Sequence, residues 1–148
     1  MISIEVDPDL TLPGDLLEQA ARATLDRTGA LDADLSVVLT GNPRIQTLNR
    51  DFLGTDAPTD VLSFPADESD PETGRRYLGD VIISLPRALD QAAERGHTVE
   101  AEVQLLVVHG ILHLLGYDHI KEEEKTCMWA AQSHVLERLG ISPAIVHE

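Results

Sequence analysis

The stretch that most restricts how this chain can fold is residues 105–115, its most apolar run, which also carries two histidines, His109 and His113. It is too short to span a bilayer, so it belongs inside a folded domain. Thr98 is a suitable N-cap, and a long helix, TVEAEVQLLVVHGILHLLG, follows from it. Ala101 leaves the capping box incomplete, but Glu100 and Glu102 place negative charge in the first turn, where the helix dipole favours it. Imidazole rings within an apolar helix need polar partners.

The spacing says what those partners can be. His109 and His113 are four residues apart, so on a helix they project from one face within reach of one ion. The same helix cannot continue to His119: six further residues would rotate it by about 600° and lift it about 9 Å. Gly116 removes the difficulty, because glycine accepts the left-handed conformation that ends helices and lets the chain turn back. Three imidazoles then meet one ion and leave a fourth position for water, the arrangement of catalytic rather than structural zinc. The plain alternative is two core histidines and one loop histidine.

Around this helix the pattern predicts a single α+β domain with a small, mostly four-stranded sheet and four to six helices. Strands are expected at residues 2–6, 35–40, 60–65 and 77–84. A helix opens at Pro13 and runs to about Thr28. Another follows Asn42-Pro43, read as N-cap and first-turn proline, and ends near Gly54. Ser84 caps a helix that stops at Gly96, and a last helix spans about 122–139, its stripe Met128, Ala131, Val135 and Leu139 facing a core. Residues 66–76 read as a polar surface loop. The metal site falls on the long helix and the loop after it.

Composition limits function. The 148 residues carry a net charge of −15, which excludes a basic nucleic-acid binder working by bulk attraction to phosphate. Any polyanion must be held by a local site. Six of the eleven basic residues (Arg44, Arg50, Arg75, Arg76, Arg87 and Arg95) lie between positions 44 and 95, so a small basic or metal-centred cleft on an acidic body is expected. One cysteine, Cys127, allows no intrachain disulfide, and the N-terminus lacks the pattern of a signal peptide. The expectation is a cytoplasmic protein with no membrane partner.

The run from His109 to His119 resembles the zinc-binding sequence of metzincin proteases, except that Gly110 stands where those enzymes have a general-base glutamate. Peptide hydrolysis by that route is disfavoured. Three blocks together carry a second resemblance. Residues 109–119, H-G-I-L-H-L-L-G-Y-D-H, are similar to the signature of the YbeY family of metal-dependent endoribonucleases, which act as rRNA maturation factors. Leu48-Asn49 with residues 54–65, GTDAPTDVLSFP, resembles that family's second block, and residues 78–84, LGDVIIS, its third.

This resemblance implies one zinc-type ion on His109, His113 and His119. It also implies hydrolysis of single-stranded RNA, in rRNA maturation at the 3′ end of 16S rRNA and in ribosome quality control. The implied partners are rRNA and the ribosome, with no DNA expected. Imidazole also accepts nickel, copper or iron, so the metal's identity stays open. Some members place an arginine just before the glycine of the second block. Leu53 stands there in this chain, and Arg50, one turn earlier, is the nearest basic residue facing the same way.

The expected chemistry is metal-assisted phosphodiester hydrolysis, because a three-histidine zinc ion can supply hydroxide near neutral pH without a separate base. The catalytic candidates are Arg50, to hold a phosphate, and Asp118, to orient a ligand ring or the water; their plain readings are a solvated arginine and a turn carboxylate. Asp80 is a candidate partner behind the ligands or a strand-end residue, and Ser63 a candidate substrate contact or a strand hydroxyl. His97 reads as a turn residue, His134 and His147 as surface groups, and residues 121–125 as a solvated first turn. Cys127 and Trp129 read as packing residues. The alternative functions are a ribosome-associated assembly factor with a mainly structural metal and a metzincin-like peptidase.

Overall fold

Alternating burial along the strands sorts the chain onto two sides of one sheet. The computed structural model describes residues 1–117 and 122–141. The elements are β1 (Ile2–Val6), α1 (Gly14–Arg27), β2 (Asp34–Thr40), α2 (Asn42–Leu53), β3 (Val61–Ser69), β4 (Arg76–Ser84), α3 (Leu85–Arg95), α4 (Val99–Leu114) and α5 (Glu122–Arg138). The four strands lie in the order β1-β2-β4-β3. β1 and β4 both run parallel to β2, and β3 pairs antiparallel with β4. No helix of the described residues is long and apolar enough to cross a membrane.

Leu35, Val37 and Leu39 of β2, with Val81 and Ile83 of β4, point to one face and meet α1, α3, α4 and α5 in the main core. Val38, Leu62 and Ile82 point the other way and meet Ile45 of α2 in a smaller cluster. α4 is the centre of the larger layer, with twelve of its sixteen residues buried. A helix apolar on all sides has no solvent face to keep. Each fully buried Leu, Ile or Val contributes roughly 1.5–3 kcal/mol.

α4 reaches the sheet closely because of one residue. A Cβ built on Gly110 would lie 2.6 Å from Val81 Cγ1 and 3.3 Å from Ser63 Oγ. Gly110 is therefore the contact point between helix and sheet.

Most boundaries agree with the sequence reading, and three readings are corrected. β3 does not stop at Pro65. It continues to Ser69, with Glu68 opposite Tyr77 and Ser69 opposite Arg76, so the expected loop at 66–76 shrinks to a turn closed by Asp70 N–H on Arg75 O at 2.8 Å. Proline is tolerated there because β3 is an edge strand and the register shifts between Pro65 and Glu68. Across that shift Gly79 has φ +137°, and its Cβ position would fall 2.2 Å from Phe64 O, which only glycine accommodates.

The cap of α2 is Gly41 rather than Asn42, and the Asn42 side chain instead accepts from Ser84 Oγ at 2.6 Å. Glu102 lies in the first turn of α4 and His97 in the turn before it, both as read, and in addition their side chains pair largely out of solvent. Glu102 is 0% exposed and accepts from Arg95 Nη1 at 3.1 Å, with His97 Nε2 2.6 Å from its other oxygen. Charges are buried only when paired, and this group ties the α3–α4 connection to the core. Finally, Cys127 is exposed, and Trp129 is half-buried under the Lys125 ammonium, 4.5 Å from the ring centroid.

At the opening of β2, Asp34 accepts from Arg75 Nε at 2.9 Å and also pairs with the N-terminal amine. The Arg75 hydrogen bond and then the amine lower its carboxyl from 3.8 to about 2. A depressed carboxylate contributes stability above its unfolded pKa and loses it as pH falls through the folded one. Arg75→Ala should therefore flatten the loss of thermal stability between about pH 4 and about pH 2; equal acid slopes in both proteins would contradict the pairing. Gly110→Ala should cost about 1–3 kcal/mol by overpacking against Val81, read as a lower urea midpoint with unchanged slope.

Candidate metal centre on the histidine helix

α4 brings His109 and His113 together at its C-terminal end, as the four-residue spacing predicts. Their Nε2 atoms are 3.1 Å apart. The rings stand edge to face, with centroids 4.6 Å apart and planes at 77°. His109 is 8% exposed and His113 half-buried, so the pair sits where the core opens to the surface.

The outer nitrogen of His109 is held from another element. His109 Nδ1 lies 3.2 Å from Oε1 of Gln132, on α5. An amide oxygen only accepts, so the ring proton sits on Nδ1 and the Nε2 lone pair faces His113. A histidine that ligates a metal through one nitrogen usually donates its other N–H in this way. Two convergent imidazole nitrogens, one with its tautomer set from behind, are a donor set that suits a zinc-type ion.

The chain reverses direction at the end of α4. Leu115 is the C-cap and Gly116 has φ +95°. Gly116 N–H donates to His113 O and Tyr117 N–H to Leu112 O, both at 3.0 Å. This is a Schellman closure, in which glycine at the left-handed position satisfies the last carbonyls and turns the chain back. The predicted reversal is thus present immediately before Asp118 and His119. Those two residues, with Lys121 and His147, lie outside the described residues. Among the described residues no three His, Cys, Asp or Glu side chains are gathered as a metal site.

Gly110, between the two histidines, shows why the peptidase comparison fails physically. A side chain there would enter the Val81 methyls, so a glutamate could not occupy that position without lifting the helix from the sheet. Ser63 is engaged by the same contact: its hydroxyl donates to Gly110 O at 3.0 Å. Its role is to fasten β3 to α4.

The other candidates are placed elsewhere. Arg50 is on α2, which packs on the face of the sheet opposite α4; its Nε donates to Asp51 Oδ1 at 3.0 Å with both side chains about half exposed. Asp80 accepts from the Tyr77 hydroxyl, which is also 2.8 Å from Ser36 Oγ. Burial of the Tyr77 phenol, then its bond to Asp80, raises its pKa. Asp80 lines a groove of about 870 Å³ with Phe52, Phe64 and Arg44, on the α2 side of the sheet. It does not stand behind the histidines.

The expectation is a small basic or metal-centred cleft; Arg44, Arg75 and Arg95 do not gather into a basic one. Arg44 pairs with Glu5 at 2.8 Å and Asp7 at 3.2 Å, Arg75 with Asp34 at 2.7 Å, and Arg95 with Glu102 at 3.1 Å. Arg44 lies just past the end of β2 and Arg75 sits at its start, so they occupy opposite ends of the sheet. His134 is exposed, as expected.

Sequence reasoning missed Gln132 and the engagement of Ser63. A signal for Gln132 was available: it is a polar residue four after Met128 and three before Val135, inside the apolar stripe of α5. It is 3% exposed.

The family model described as Endoribonuclease YbeY matches residues 9–140. The chain belongs to that family. A relative named Endoribonuclease YbeY from Carboxydothermus hydrogenoformans is 46% identical over 138 residues, covering 93% of this chain and 92% of that one. A second of the same name, from Pelotomaculum thermopropionicum, is 45% identical over 143 residues, covering 94% and 92%. The solution structure of TM1509 from Thermotoga maritima superposes with a TM-score of 0.64 at 29% identity, covering 95% of this chain and 92% of that one. The YbeY match takes in every element from α1 to α5 and the whole run from His109 to His119. It agrees with the family read from the three sequence blocks, and the structural likeness agrees with the α+β fold.

Proposed function

We propose that the chain is a metal-dependent endoribonuclease that cleaves single-stranded RNA, acts in maturation of the 16S rRNA 3′ end and serves ribosome quality control. The observation that carries this reading is the convergence of His109 and His113 Nε2 at 3.1 Å in a chain that belongs to the Endoribonuclease YbeY family. His109, His113 and His119 would hold the ion, with zinc the metal their chemistry fits best. When bound, such an ion lowers the pKa of a water to about 7 and polarises a phosphoryl oxygen.

The chain's own groups supply the rest. His109 is oriented by Gln132, and His113 is half-buried where the core opens to the surface. Asp118, directly before the third histidine, is assigned to orient a ligand ring or the water. Arg50, on the other side of the sheet from the histidines, is assigned to a phosphate of the RNA away from the cleaved bond: its pair with Asp51 is solvent-exposed and therefore weak, so exchange for a phosphate oxygen costs little. With no side chain at Gly110, no base adjoins the histidines from α4, which favours water activated by the ion over a carboxylate-assisted route.

The acidic body supports selectivity for a local RNA site. Rims of like charge repel a polyanion everywhere except where an ion offsets them. The ribosome as partner and the cytoplasm as the place of action follow from the proposed substrate.

Cleavage of a single-stranded RNA by the purified protein should be abolished by chelation and restored by Zn²⁺; cleavage that survives chelation removes the metal from the mechanism. His113→Ala should reduce cleavage to background with an unchanged far-UV spectrum. A folded His113→Ala protein that still supports rRNA maturation would establish the assembly-factor role instead. End-group analysis should find no 2′,3′-cyclic phosphate, because water rather than the neighbouring 2′-hydroxyl attacks.

A further inference from the structure

We infer that Gln132 is the positioning residue of the histidine site: it sets the tautomer of His109 and so aims the Nε2 lone pair at the position shared with His113. The inference deepens the metal-centre reading above and rests on it for its consequence, though not for its geometry.

A neutral imidazole carries one proton, and two arrangements of this pair are open to it. With the proton on Nδ1, His109 presents a lone pair to the space it shares with His113. With the proton on Nε2, His109 instead donates across the 3.1 Å gap to His113, and the two rings satisfy each other. In the first arrangement the bridging proton comes from His113, the more open ring; in the second it sits on the donor atom of the deeply buried ring, His109. What decides between them is the group behind Nδ1.

That group is Gln132 Oε1, at 3.2 Å. Both partners are almost wholly buried, with His109 at 8% and Gln132 at 3% exposure, so water does not compete for the bond. A buried acceptor left without its donor is strongly disfavoured, which holds the proton on Nδ1 by roughly one to two orders of magnitude. Gln132 comes from α5, whose neighbouring Met128, Ala131 and Val135 are anchored in the main core. Its oxygen is therefore held by packing independent of the ligands. This makes α5 part of the site although it contributes no ligand from its described residues.

A residue that merely fills space beside His109 predicts something different from one that orients it. Leucine at this position keeps the volume and removes the acceptor; glutamate keeps an acceptor of the same reach. In the metal-free wild-type protein, the ¹⁵N shifts of His109 should report protonation on Nδ1 and an unprotonated, hydrogen-bond-accepting Nε2. Zn²⁺ affinity, measured by competition with a chelator, should fall about 10- to 100-fold in Gln132→Leu. Gln132→Glu should return it to within a few-fold of wild type or better. Protonation of His109 on Nε2 in the wild-type protein would overturn the inference, whether or not Gln132→Leu folds. So would a folded Gln132→Leu that binds Zn²⁺ as tightly as wild type, or a Gln132→Glu that binds as weakly as Gln132→Leu. A wild-type protein that binds no Zn²⁺ at all would refute the metal-centre reading, while the tautomer measurement would still judge Gln132.

Discussion

Everything in this structure is arranged around a helix that has no outside. α4 is buried on all sides through most of its length, and a helix in that position must satisfy any polar side chain within the protein. Its first buried polar group, Glu102, is held by Arg95 and His97 from the preceding connection. Its last, His109 and His113, lie where the helix emerges and are held by each other and by Gln132. Between them Gly110 lets the helix settle onto Val81 and Ser63. The same contact that fixes the helix on the sheet thus fixes the height and rotation of the histidine pair.

That arrangement separates two jobs often combined in one side chain. In a metzincin-like helix the residue after the first histidine is chemical; here it is a spacer. That position of α4 supplies no base to a reaction. The electrostatics show a similar economy. The arginines that might have formed a phosphate track are dispersed, with Arg44, Arg75 and Arg95 each matched to carboxylates at different places on the fold. A protein with a net charge of −15 then offers a polyanion few places to settle.

Much of this was legible because the signals were local. Thr98 donates no proton to its cap bond but accepts from Ala101 N–H, Ser84 accepts from Arg87 N–H, and Gly116 takes the left-handed conformation, all as their residue types suggest. The hairpin extension past Pro65 was hidden because proline ends most strands, and only the edge position and the register shift permit it. The burial of Glu102 was not legible, because a first turn favours acids whether or not they are buried. Its partners, five and seven positions upstream, lie across a turn whose path no periodicity reports.

By itself the sequence determined the histidines and their spacing: two on one helical face, a glycine that ends the helix, and a third after it. It also determined the family through blocks whose order and spacing are linear properties. The tertiary structure alone decided which atoms back those histidines and which candidates stand apart from them. Gln132 reaches His109 from 23 residues downstream, while Arg50 and Asp80 belong to the other side of the sheet. The reason is that a side-chain period reports which face of its own element a residue occupies. What that face meets depends on how elements distant in sequence pack together.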